Sequence, residues 1–388
     1  MENKKTKLGI DCFLQLKSLY KNIRFGLVTN NAATTSGGES SRNALLKAGF
    51  TISRLFSPEH GLSAQGEDGA YQKNIIDPLT QLPVTSLYGE KLIPDEEDFT
   101  DIDILLFDIP DVGCRFYTYL WTMTYMMEAC VKFKKPLYIL DRPNPTSGNI
   151  SLSEGPMLDE HNCSSFIGRW NIPVRHSCTI GELANYFSFI RLKNIDLKII
   201  KIQNWNRKHV EKKVNWHFMP PSPAIKDVET ALLYPGMGLL EGINVNEGRG
   251  TATPFKIFGA PWINANYLKE EFDLLEIQGI NSKSISYKPA NALYANETCY
   301  GLKLTITDPE KFRPVNIGLQ LIKLILSLHP EQCEERLYKT RANPSGSQHL
   351  DKLTGIFNSF KKMKTKEIIS SQLKTEDWKE KIKPYLYY

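Results

Sequence analysis

A glutamate and a histidine stand side by side in the string Phe56-Ser57-Pro58-Glu59-His60-Gly61. Residues 51–55 ahead of them are β-prone, and Pro58 fixes φ and removes a ladder donor, so the strand ends there. Gly61 then lets the chain turn. A carboxyl and an imidazole held at a strand tip suit acid–base chemistry, because a tuned pKa needs an unchanging environment. Taken alone, a Glu-His pair is ordinarily a solvated loop pair. Its companions weigh against that: two further loops, 108–115 and 141–144, also place polar side chains directly after apolar runs.

The surrounding pattern shows what positions these loops. Residues 24–30, 51–55, 84–87, 102–108, 136–140 and 197–202 read as strands. Residues 40–49 and 117–133 read as helices, as does the stretch opened by the capping box Thr179-Ile180-Gly181-Glu182. Residues 94–98 read as an acidic helix opening. This alternation predicts an α/β fold with a parallel sheet and helices on both faces. Ligands of such sheets sit beyond the carboxyl ends of the strands, so the three polar loops share one edge. Residues 216–223 are Pro-rich and structure-poor. In 234–262, glycines surround Glu241, Glu247 and Arg249, which fits backbone packed against a ligand or a tight surface loop. After Trp262 lysine and glutamate increase, and Pro314–Leu328 reads as an amphipathic helix. Two domains are expected, 1–262 and a smaller α/β unit at 263–388.

Composition excludes several function classes. The 48 basic and 43 acidic residues are scattered, and with no basic block or known motif no nucleic-acid partner is expected. Seven cysteines without a CxxC pair argue against a disulfide scaffold or a structural zinc. His60, His161 and His176 lack HExxH-like spacing, so no metal is expected. No glycine-rich phosphate loop follows the first strand, so no nucleotide cofactor is expected either. No run is long and apolar enough for a membrane span; 315–328 is too short and contains Lys323. The charged start, with no apolar segment behind it, predicts a cytoplasmic protein as written, or a periplasmic or secreted one if the N-terminus is processed. Nothing in the pattern sets an oligomeric state.

In order along the chain, Phe56 to Gly61, the string Phe107-Asp108-Ile109-Pro110-Asp111-Val112-Gly113-Cys114-Arg115-Phe116-Tyr117-Thr118-Tyr119, then 140–145, Gly155-Pro156-Met157-Leu158-Asp159 and 241–254 form a recognisable series. With them the chain resembles the NamZ-type exo-β-N-acetylmuramidases, formerly a domain family of unknown function. The likeness runs from about Phe25 to the C-terminus and is sharpest between Phe56 and Trp262. It implies a Rossmann-like catalytic domain, a smaller domain closing a cleft, and an active site between them. It implies release of N-acetylmuramic acid from the non-reducing end of peptidoglycan fragments, with a muropeptide or disaccharide as substrate. It also implies that Glu59 is the catalytic acid. Pro110, Ile243 and Asn246 stand where glutamine, threonine and serine are expected; the charged positions remain.

Glycoside hydrolysis usually needs one protonated carboxyl and a second group at the anomeric carbon. With Glu59 as acid and His60 holding it, Asp108, Asp111 and Glu247 are candidates for the second carboxylate, unless the substrate's own acetamido group attacks. Asp108 could instead cap its loop. The lactyl carboxylate of muramic acid suits a planar guanidinium, which makes Arg115, Arg175 and Arg249 candidate readers; each could equally be an ion-pair partner. Tyr117, Tyr119 and Trp121 form either a sugar-stacking wall or core. Asp141 and Asn144 either bind sugar hydroxyls or close a turn, and His176 is expected to be packing. Two rival readings remain: a Rossmann-type nucleotide-sugar or phosphosugar enzyme, opposed by the missing phosphate loop, and a muropeptide-binding protein without turnover.

Overall fold

The computed structural model describes residues 5–208, 216–365, 367 and 375–388; the first four residues of the charged start lie outside that set. Strands β1 (Arg24–Val28), β2 (Thr51–Ser57), β4 (Pro83–Ser86), β5 (Ile104–Phe107) and β6 (Leu137–Leu140) come in the expected places, and a two-residue strand not expected from the sequence, β3 (Ile75–Ile76), precedes β4. After them come the short antiparallel pair β7 (Glu154–Met157) and β8 (Pro173–Arg175), and β9 (Leu197–Ile200). The main sheet has the order β3-β4-β2-β1-β5-β6-β9, parallel throughout except for β3.

Both faces of this sheet are covered, which is why the central strand β5 is apolar and buried at every position. In β5, Ile104 and Leu106 join a cluster with Phe25, Leu27 and Leu55 under the helices Gly9–Leu14 and Ser41–Lys47. Leu105 and Phe107 point the other way, into a cluster with Leu137 and Ile139 under the helices Thr118–Phe133 and Ile180–Ile190. The latter helix carries the capping box expected at Thr179 and Glu182. Residues 94–98 do not open an α-helix; only a 3₁₀ turn, Glu97–Phe99, forms there.

A second unit is built on a three-stranded antiparallel sheet of β10 (Ile257–Ala260), β12 (Cys299–Ile306) and β11 (Ile280–Tyr287), in that spatial order. The helix Pro314–Leu328 packs against the helix Val228–Met237 at a glycine crossing, where a Cβ on Gly318 would stand 2.3 Å from the Gly236 carbonyl oxygen. The unit therefore draws on chain well before Trp262. Its first elements are hidden in sequence by Pro235 and the glycines, yet Asp227 caps the helix through the Thr230 N–H at 2.8 Å. Leu302 and Ile322 of this unit belong to the same apolar cluster as Phe107 and Trp121 of the first, so one core runs through both. No helix among the described residues is long and apolar enough to cross a membrane.

Candidate active site

β2 ends at Ser57, and Pro58 carries the chain into the loop, leaving Glu59 only 5% exposed. His60 takes a left-handed backbone conformation, φ +65°, and its Nδ1 lies 2.8 Å from the Gly66 carbonyl. A carbonyl only accepts, so Nδ1 carries a proton. The Gly69 N–H donates to Glu59 Oε1 at 2.7 Å, and the Thr118 hydroxyl also bonds this carboxyl. Burial raises the pKa of Glu59, the charge of Asp68 adds to the rise, and His60 with the two hydrogen bonds opposes it.

Asp68 lies on the same loop and opens to the cleft, with 29% of its side chain exposed. Partial desolvation works to raise its pKa, but Arg249, His60 and the Tyr338 hydroxyl, which donates to it, outweigh that and hold it below its ordinary value. Glu59, His60 and Asp68 can each bring a polar atom within 4.8 Å of the others, a spacing also compatible with a cation. Glu59 and Asp68 already accept protein hydrogen bonds, so the arrangement reads as an acid pair held by donors.

The glycine-rich passage delivers the cation. Gly248 and Gly250 adopt φ of +81° and +79°, and a Cβ on Gly250 would meet the Asn291 carbonyl oxygen at 2.3 Å, so the loop around Arg249 needs them. The Arg249 guanidinium contacts Glu241 at 2.8 Å, Glu247 at 3.1 Å and Asp68 at 3.2 Å. Glu247, fully buried, is also met by Arg336 at 3.3 Å, and burial raises its pKa. Tyr88, Phe116, Tyr117, Phe166, Tyr234 and Phe255 wall the pocket. Their edge contacts, such as Tyr234 to Phe255 at 4.8 Å and to Phe116 at 5.1 Å, hold the rings in place. The pocket thus lies between the units, with the ends of β2, β4 and β5 on one side and 234–255 with 338–353 on the other.

Residues 25–229 match the family model of the exo-β-N-acetylmuramidase NamZ, N-terminal part, and residues 232–388 match its C-terminal part. The chain belongs to the NamZ family. It is 40% identical to the peptidoglycan β-N-acetylmuramidase NamZ of Bacillus subtilis (strain 168) over 332 residues, 85% of this chain and 80% of that protein. Two crystal structures of DUF1343 family proteins from Bacteroides fragilis NCTC 9343 cover 99% of both chains, with TM-scores of 0.87 and 0.74 and identities of 28% and 27%.

Of the side chains that the sequence of this NamZ-family member singles out, Glu59, His60, Tyr117 and Arg249 meet in the pocket, with Glu247 behind Arg249. The others are placed differently. Asp108 is ion-paired with Arg142 at 2.7 Å and stitches the tips of β5 and β6. Asp111 accepts from the Gly113 N–H at 2.8 Å and faces His176 at 3.5 Å. Arg115 is fully buried and donates to the carbonyls of Pro156, Ile172 and Leu353; burial pushes its pKa down to about 10. Arg175 pairs with Glu154 at 3.4 Å and donates to the Thr146 carbonyl. Asp141 accepts from Thr179, Gly181 and Tyr388, and burial raises its pKa to about 6. Asn144 closes its own turn through the Thr146 N–H at 2.8 Å. Tyr119 and Trp121 are core, their polar tips bonded to the carbonyls of Pro221 and Arg115. Sequence reasoning missed Asp68, Tyr338, His349 and Lys352. Asp68 had a signal, an acid flanked by Gly66 and Gly69 in the loop that follows Glu59; the other three lie in passages without a motif.

Proposed function

We infer that this chain is an exo-acting glycoside hydrolase that releases N-acetylmuramic acid from the non-reducing end of peptidoglycan fragments, with Glu59 as general acid and Asp68 as its ionised partner. The substrate class rests on family membership and on the peptidoglycan β-N-acetylmuramidase of Bacillus subtilis. One observation carries the division of labour: two neighbouring carboxyls are pushed in opposite directions, Glu59 up and Asp68 down. Such a pair favours the proton on Glu59 and the negative charge on Asp68, side by side at one place.

In this reading Glu59 gives its proton to the glycosidic oxygen as the bond from that oxygen to the anomeric carbon breaks. Positive charge grows on the sugar ring, and the Asp68 carboxylate, held by Arg249 and Tyr338, stabilises it. Polar atoms of the pair can lie within 4.8 Å. Water then adds its oxygen to the anomeric carbon and gives its proton to Glu59, which the first step left ionised, so that the acid is restored. The aromatic wall supplies apolar faces for a sugar ring and keeps the acid dry.

The test is release of a chromogenic aglycone from a β-N-acetylmuraminide, with the glucosaminide analogue in parallel, for the natural chain and Glu59→Gln. Turnover of the muraminide, lost in the variant, is the expected result. A folded protein that turns over neither sugar would remove the glycosidase reading.

A further inference from the structure

The helix His349–Thr354 turns two side chains, His349 and Lys352, into the pocket; they stand three positions apart, on one face. His349 is 4% exposed, yet neither ring nitrogen has a hydrogen-bond partner. Its ring lies flat on Tyr338, with centroids 4.4 Å apart and planes 9° apart, so its orientation is held. Glu241 stands 3.6 Å from Nε2 and is itself answered by Arg249, while the charge of Asp68 also lies within reach of the ring. Lys352 is half-buried, and its ammonium donates to the Ser347 carbonyl at 2.9 Å. Among the described residues no carboxylate forms an ion pair with it. An ammonium has three donors, so two remain to be used. Burial also draws its pKa down, outweighing the nearby charge of Asp351.

The arginines expected to read a substrate carboxylate are already engaged. Arg115 is bound to three backbone carbonyls and Arg175 to Glu154 and the Thr146 carbonyl, neither side chain lining the pocket, and Arg249 is shared among three carboxylates. A fourth carboxylate at Arg249 would meet Asp68, Glu241 and Glu247 at close range, a like-charge arrangement that costs affinity.

We propose that Lys352, with His349 as second donor, forms the subsite that reads a carboxylate on the bound sugar. Resting on the muramidase reading, that carboxylate is the lactyl group of N-acetylmuramic acid, and the pair sets the preference for muramic acid over glucosamine. Arg249 is then a positioning residue for Asp68 and not the reader of the substrate.

The experiment compares hydrolysis of a chromogenic muraminide with that of its lactyl methylamide, which keeps the shape and loses the charge. It is paired with calorimetric titration of free N-acetylmuramic acid and N-acetylglucosamine. Lys352→Met is expected to raise KM for the muraminide roughly tenfold or more, the range of a lost charged hydrogen bond, with the methylamide changed by less than about twofold. His349→Gln shifts the same ratio in the same direction, and Lys352→Arg restores much of it. Melting curves check that each variant is folded. Equal losses on both substrates, or an unchanged preference for free N-acetylmuramic acid in a folded Lys352→Met, would overturn the subsite while leaving the muramidase reading intact. If the natural chain turns over no muraminide, the muramidase reading itself fails, and this assignment with it.

Discussion

Glu59 and Asp68 are neighbouring carboxyls, one buried and one open to the cleft, whose surroundings pull their pKa values apart, and their titration is the most direct consequence. A carboxyl that acts as an acid must be protonated. Because the pKa of Glu59 is raised, mainly by burial, the basic limb of the pH–activity profile lies above the ~4.3 of an ordinary glutamate. Asp68 must be ionised, and its pKa is lowered, so the acidic limb lies below the ~3.9 of an ordinary aspartate. Asp68→Asn removes a negative charge that helps raise Glu59, so its basic limb moves to lower pH, alongside a fall in kcat. A basic limb that stays in place would separate it from this pair. Arg249→Met strips the cation from Asp68, Glu241 and Glu247. The sign follows from linkage: the stability that Arg249 lends to a lowered carboxyl is present above that group's unfolded pKa and lost as pH falls through its folded pKa. The variant should therefore lose about 3–5 kcal/mol in denaturant titrations near neutrality, and less as the medium is acidified. Glu59 was legible because a strand, Pro58 and Gly61 frame it on any reading. Asp108 and Asp141 carry the same local signature but are consumed by partners, Arg142 and Thr179, that come from other strand tips and helices. A sequence shows which side chains reach the edge of a sheet, not which of them find each other there.

At the scale of elements, the strands of the main sheet could be read because both of its faces are buried and short apolar runs mark them, clearest in β5. The second unit was legible at the helix Pro314–Leu328, whose bounds match the expected ones. Its other half was obscured, since a proline and several glycines at 235–242 look like loop yet form the helix Val228–Met237 and the 3₁₀ turn Gly238–Gly242. Those glycines are there for close approach. Gly318→Ala puts a methyl 2.3 Å from the Gly236 carbonyl, a contact that the two helix backbones can relieve only by moving apart. The expected cost is about 1–3 kcal/mol of unfolding free energy by chemical denaturation, although alanine is the better helix former. A neutral or stabilising result would mean that the two helices are less closely held than the crossing indicates.

Across the whole molecule, two family-model segments share one apolar cluster and close one pocket between them. Glu59 comes from the first segment; Glu241, Arg249, Tyr338, His349 and Lys352 come from the second. A shared core couples the units, so calorimetry should show one cooperative unfolding transition, with calorimetric and van't Hoff enthalpies in agreement. Two separated transitions would show that each unit folds by itself and that the pocket is a contact between independent bodies.

The assignment of Glu59 as proton donor is tested most directly by leaving-group dependence. Glu59→Ala is compared with the natural chain on a muramic acid disaccharide, whose leaving oxygen needs a proton, and on a 2,4-dinitrophenyl muraminide, whose leaving group does not. A lost general acid should cost about 10²–10⁴-fold on the disaccharide and far less on the activated glycoside. Equal losses on both would contradict a proton-donating role for Glu59 and return it to the framework of the loop.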